Sequence, residues 1–308
     1  MSLAKGHHIV PRRYLERFAD GHGRVLEVPF GRQPHHIAIR KAARETDFYT
    51  TTQSDGEKTD IYERVLAQLE EDSFPGIEAT DREWPLEPDR RALAAGWVAL
   101  QFLRTHLIRD VHSQVGHHVL RQELSPAASE ARVAELIRSF PEFDALAVRT
   151  HYSKMEELVR QDFDGWIGST DGHMRAIDQY FPGIANGLMQ RQWLLYRYTR
   201  RSMVTSDRPV GMWSPGGQLV GIGTAEIVTF PLSRRSALVM RSTPGKDGFG
   251  ATTTRTANAI NQITVLSAAR SVYHHPEDSP MTGLVVPSAP RKRVQIFEGE
   301  SPGVESEG

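Results

Sequence analysis

The sequence predicts an α+β fold with a predominantly helical middle, an N-terminal hairpin and a small C-terminal antiparallel sheet. Three observations predict it. Apolar residues recur at helical spacing through the middle of the chain, as at Ile61, Val65 and Leu69 and again at Leu93, Trp97, Leu100, Leu107 and Val111. Near the N terminus, Arg24 to Phe30 and His36 to Arg40 alternate apolar and polar residues around a turn containing Gly31, the pattern of a hairpin. After Arg201 come short runs, Met203 to Thr205, Val210 to Trp213, Ile227 to Phe230 and Ala237 to Met240, separated by Pro, Gly and Ser, which predict the sheet.

The elements follow in chain order. Pro11 to Ala19 reads as a short helix: Tyr14, Leu15 and Phe18 share a face, proline suits the first helical position, and Asp20-Gly21 supplies a stop. After the hairpin, helices are expected around Ile61 to Leu69, from Leu93 to about Leu120, from Ala128 to Phe140 and from Asp144 to Phe163. A further helix is expected from Met174 through Arg200, broken near Phe181-Pro182-Gly183. Beyond the predicted strands, Thr256 to Tyr273 reads as a helix apolar on nearly all sides and therefore buried by its neighbours. Strand-like runs at both ends of a helical middle favour a single domain over residues 1–286, with 202–245 able to stand as a β-rich subdomain. From residue 287 the chain turns basic at Arg291-Lys292-Arg293 and then Gly-rich and acidic, which predicts a disordered tail over 287–308.

Composition excludes several functions. Lys+Arg 37 against Asp+Glu 38 leaves a net charge of −1, so no global field attracts nucleic acid, although a local basic groove is not excluded. With no cysteine there is no disulfide framework, thiolate nucleophile or sulfur metal ligand, and any metal must sit on His, Asp or Glu. No uncharged stretch approaches the roughly 20 residues that span a bilayer, so no membrane association is expected and the cytoplasm is the default compartment.

The oddest local feature is His7-His8-Ile9-Val10-Pro11. Adjacent side chains of an extended segment point to opposite faces, so one of the two histidines faces inward at most. Either could act as a base, a proton donor or a metal ligand, or could be an imidazole hydrogen-bonded into the core. Arg104 falls on the apolar stripe between Leu100 and Leu107. A guanidinium facing the core needs a carboxylate, for which Glu70 and Asp207 are the candidates. Asp207 follows a predicted strand, where it caps the strand exit or lines a site. With His8 and Glu70 it would make an oxygen- and nitrogen-rich set for a divalent ion such as Mg, Mn or Zn. Asn261 shares a face with Val265, Ala268 and Val272, so its buried amide must find hydrogen-bond partners.

The opening run, with Tyr14-Leu15 and Phe18, resembles that of the bacterial family known as domain of unknown function 4238. Gln101 and Arg104, Thr205-Ser206-Asp207 with Pro209, Pro231-Leu232-Ser233, and Asn258 or Asn261 continue the likeness in order. It covers most of the chain from His7 to Tyr273 and implies kinship without a mechanism. The His-His-Ile-Val-Pro run also looks like the first strand of His-Asn-His nucleases, but that motif needs a nearby Asn and the first in this chain is Asn186.

Two functions stay open. One is a hydrolase, such as a metal-assisted phosphodiesterase or nuclease, with His7, His8 and Asp207 catalytic, His8, Glu70 and Asp207 holding the metal, and Arg104, Gln101 and Asn261 on the substrate. The other is a non-catalytic binding or regulatory protein in which the same His, Arg and Asp residues form a structural clamp.

Overall fold

The computed structural model describes residues 6–52, 58–139, 144–216 and 221–291. The fold is α+β, and contacts divide the chain into two compact units, one holding residues up to Thr105 and from Ile177, the other His106–Ala176.

The first unit opens with β1 (Gly6–His8), α1 (Arg12–Leu15) and a 3-10 turn at Glu16–Phe18. The expected hairpin follows as β2 (Arg24–Pro29) and β3 (His35–Ala38), paired antiparallel with Gly31 at φ 74° in the turn, a conformation that favours glycine. β4 (Arg44–Thr46) returns to pair with β1, placing His7 opposite Glu45 and His8 opposite Arg44. A small pair, β5 (Thr51–Thr52) and β6 (Lys58–Thr59), leads into α2 (Ile61–Arg82), which packs along α3 (Pro88–Leu103). Gly76 explains how close these helices come: a Cβ there would collide with the backbone nitrogen of Ala94 and lie 2.7 Å from the Arg90 carbonyl oxygen.

The helix expected from Leu93 to Leu120 is two helices, because the chain leaves helical geometry at Arg104-Thr105 and restarts as α4 (His106–Glu123). Arg104 closes α3 and turns its side chain inward. The apolar stripe runs across the break and hid it. In the second unit, α4, α5 (Pro126–Ser139) and α6 (Ala145–Ile167) pack on one another. Gly116 of α4 lies against Ile167, and Arg149 makes a two-pronged ion pair with Glu130 at 2.7 and 2.8 Å. Phe140, the expected end of α5, falls outside the described residues.

α7 (Thr170–Met189) carries Pro182 without breaking, contrary to the expected interruption there. It ends before Arg200, because Gln192–Arg197 forms β7, where buried Trp193 and Leu195 alternate with partly exposed Gln192, Leu194 and Tyr196. The next strands are β8 (Thr205–Ser206), β9 (Gly211–Trp213), β10 (Ile227–Ser233), β11 (Ser236–Arg241) and β12 (Gly248–Phe249). The last expected helix is also shorter: α8 (Thr254–Ser267) stops at Ala268, which is extended, and Ser271–His274 becomes β13. All four β13 residues are buried, so no alternation betrayed the strand.

Two larger sheets result. One is five-stranded in the order β12-β7-β11-β10-β9, antiparallel except for the β12–β7 pair. The other runs β3-β2-β13-β8, so the N-terminal hairpin and the C-terminal strand share a sheet. α8 packs against β8, β9 and β10, and Phe30, Val204, Val265, Ala268 and Val272 form a core cluster beneath it. From Lys292 onward the expected tail lies outside the described residues. No described helix is long and apolar enough to cross a membrane.

Candidate functional site

β1 alternates as an extended segment must: His7 is buried and His8 half-buried. The Nδ1 of His7 accepts the backbone N–H of Tyr49 at 2.8 Å, and its ring stacks on the Tyr49 ring. An accepting Nδ1 puts the proton of a neutral imidazole on Nε2. That atom lies 3.4 Å from Glu63 Oε2, off the line of a hydrogen bond. Both nitrogens of His7 therefore face protein.

His8 differs. Burial and the charges of Arg44 and Arg104 hold its pKa below the ordinary 6.5, against the opposing effect of backbone contacts at Ile39 and Arg40. Its Nε2 is buried and has no hydrogen-bond partner among the described residues. Its carbonyl oxygen accepts Arg104 Nη2 at 2.6 Å.

Arg104 is 3% exposed and uses all three guanidinium nitrogens. Nη1 pairs with Glu70 of α2, Nη2 binds His8, and Nε donates to the Tyr49 hydroxyl at 3.1 Å. Of the two carboxylates expected to face it, Glu70 does so. The result is a clamp joining β1, the Tyr49 segment, α2 and α3.

Asp207 anchors a second network. Its carboxylate oxygens accept the backbone N–H groups of Ala269 and Arg270, each at 2.8 Å, and so cap the turn between α8 and β13. Arg270 in turn pairs with Glu45 of β4. A cleft of about 150 Å³ opens here, lined among others by Asp207, Glu45, Glu27, Arg270, Arg44 and Lys41. Its acidic and basic side chains are balanced. Tyr273 lines it as well, accepting the Ala43 N–H at 3.2 Å and donating to Glu27 at 3.3 Å, with burial driving its phenol pKa upward.

The remaining candidates divide. Asn261 Oδ1 accepts the Val204 N–H at 3.1 Å and its Nδ2 donates to the Ser202 carbonyl at 2.9 Å, tying α8 to the chain ahead of β8. Gln101, 1% exposed on α3, finds no hydrogen-bond partner for either amide atom among the described residues. Thus His7, His8, Glu70 and Arg104 meet in one network, Asp207 stands in another, and Asn261 is in neither. Among the described residues, no group of three or more His, Asp or Glu is placed to hold a metal ion.

The residues that complete these networks, Tyr49, Glu63, Glu45 and Arg270, carry no signal of it in the sequence. Glu45 sits in a three-residue strand, too short for periodicity to register. Tyr49 and Arg270 lie outside any regular element, and only the fold brings them to their partners.

The short sequence signatures are bonded to one another. Tyr14 donates its hydroxyl proton to the Pro231 carbonyl at 2.6 Å and sits 2.9 Å from the Thr205 hydroxyl. Arg104 binds His8, and Asn261 binds the residue before Thr205. These features define an α+β protein in which polar side chains join segments that are distant in the chain. The chain belongs to the family described as Protein of unknown function (DUF4238), whose model matches residues 6–278 and so takes in every signature that carried the resemblance. Neither the curated proteins nor the solved structures gave a match.

Proposed function

We propose that this chain is a non-catalytic binding or regulatory protein in which His7, His8, Glu70 and Arg104 form a structural clamp. The observation that carries the reading is the inward engagement of Arg104. The side chain is 3% exposed and each of its three nitrogens is bonded within the protein, to Glu70, His8 or Tyr49, so three of its five N–H donors serve the fold. The capping role of Asp207 and the two hydrogen bonds of Asn261 support the same reading.

Thermal melting with EDTA and with added Mg, Mn or Zn tests it. The clamp reading expects the melting temperature of the wild type to ignore all of them and His8→Ala to lower it by the same amount in each condition. Stabilisation by a divalent ion that disappears in His8→Ala would instead indicate a metal site and defeat the reading.

One observation favours the second reading, a hydrolase acting on phosphodiesters. The lowered pKa of His8 favours a neutral imidazole near pH 7, the protonation state of a general base, and its buried Nε2 has no hydrogen-bond partner among the described residues. In that reading His8 is the base, Asp207 and Glu70 supply carboxylates and Arg104 offsets developing charge. Hydrolysis of bis-p-nitrophenyl phosphate by the wild type and its loss in His8→Asn would establish it. Equal background rates would dismiss it.

A further inference from the structure

Away from both networks, the end of β7 and the start of α8 enclose a cleft of about 490 Å³. Its walls are Tyr198 to Arg201 on one side and Thr252 to Thr254 on the other. The volume is within the range of roughly 300–1,000 Å³ typical of small-molecule sites.

The lining carries two arginines, Arg200 and Arg201, and no carboxylate. Both arginines are exposed, and neither makes an ion pair or side-chain hydrogen bond among the described residues. The hydroxyls of Thr199, Thr252 and Thr254 are likewise unspent among those residues. By contrast, the cations of the Asp207 cleft face three carboxylates.

The walls themselves are fixed. Tyr198 is buried, its backbone N–H donates to the Arg235 carbonyl at 2.7 Å, and its hydroxyl donates to Thr256 Oγ1 at 3.0 Å, linking one wall to the other. On the second wall, Thr253 and Thr256 form a reciprocal capping box, with N–H to hydroxyl distances of 3.0 and 3.1 Å. The capping box thus fixes the backbone of the second wall, while the exposed Arg200 and Arg201 side chains become ordered only when a ligand docks.

We propose that this cleft binds a small molecule through a phosphoryl group, gripped by the Arg200 and Arg201 guanidinium forks and by the threonine hydroxyls. Planar guanidinium groups match phosphate oxygens in pairs, and the uncompensated positive charge selects an anion. The volume leaves room for the body of an organic phosphate beyond the phosphoryl group itself. A nucleic-acid strand fits less well, since it needs a track of cations and this chain has a net charge of −1.

Calorimetric titration with sodium pyrophosphate at low ionic strength tests the proposal, using wild type, Arg200→Glu/Arg201→Glu, Arg200→Lys/Arg201→Lys and, as a control, the exposed Arg32→Glu. The expected result is binding to wild type and Arg32→Glu alike, loss of at least about tenfold in affinity on charge reversal and a smaller loss with lysine. Unchanged melting temperatures would show that the exposed substitutions leave the fold intact. The proposal is overturned if wild type takes up no pyrophosphate at about 1 mM, or if charge reversal leaves affinity unchanged. A single-stranded oligonucleotide that outcompetes pyrophosphate at the same arginines also overturns it. Because no clamp residue is altered, failure here leaves the clamp reading standing, and failure of the clamp reading leaves this site intact.

Discussion

Arg104 at the end of α3 holds Glu70 of α2 by an ion pair while remaining 3% exposed. Removing one partner from such a pair strands the other charge, so Arg104→Met is expected to cost about 3 kcal/mol in urea unfolding. Arg104→Met/Glu70→Leu should cost less than the sum of the single changes, because the double variant leaves no stranded carboxylate. Strict additivity would show that the pair contributes nothing as a pair.

Asp207 faces two backbone N–H groups with two oxygens. Asp207→Asn keeps one acceptor and turns an amide NH₂ toward the other donor. The expected loss is about 2 kcal/mol, equal with and without EDTA. A loss confined to metal-loaded protein would assign Asp207 to a metal instead of the turn.

Much of this arrangement was legible residue by residue. The in-and-out disposition of His7 and His8 followed from strand geometry, and the burial of Arg104 followed from its place on an apolar stripe. Whether Glu70 or Asp207 would meet it did not follow, because that choice depends on how α2 packs against α3. The sharing of a sheet by β2 and β13 was hidden for a similar reason: Val28 pairs with Val272 across nearly the whole chain. β7 and β13 read as helix in the sequence because each continues an apolar run from the preceding helix. In β13, full burial also removes the alternation that marks a strand.

Stability should fall as the solution is acidified below pH 6.5. Native His8 binds its proton less tightly than the unfolded chain does, chiefly because of burial and then Arg44. Its contribution is complete above the ordinary value of 6.5 and is lost as pH falls below it toward the lowered native value. His274 and His112, also lowered by burial, act in the same sense. Urea midpoints measured between pH 7.5 and 5 should therefore decline in the wild type and decline less in His8→Gln. A profile unchanged by His8→Gln would mean that His8 titrates normally.

Two glycines in helices should respond oppositely to the same substitution. Gly76→Ala drives a methyl group into the backbone of α3 and should cost several kcal/mol, since neither helix can yield cheaply. Gly187→Ala in α7 meets nothing within 4 Å and should gain about 0.5 kcal/mol from reduced backbone freedom in the unfolded chain. Thermal unfolding of both variants checks the pair. A harmless Gly76→Ala would mean that α2 and α3 do not approach as closely as described.

Gln101 has neither amide atom paired among the described residues, although it is almost fully buried. A buried amide without partners carries its desolvation cost uncompensated, so an apolar side chain of similar length should be more stable in its place. Gln101→Met is expected to raise stability by about 1 kcal/mol or more in urea unfolding. A glutamine that holds the packing through hydrogen bonds would instead lose stability when replaced by methionine. If Gln101→Met is destabilised, the amide makes hydrogen bonds that hold the fold, and it belongs with Asn261 among the structural junctions.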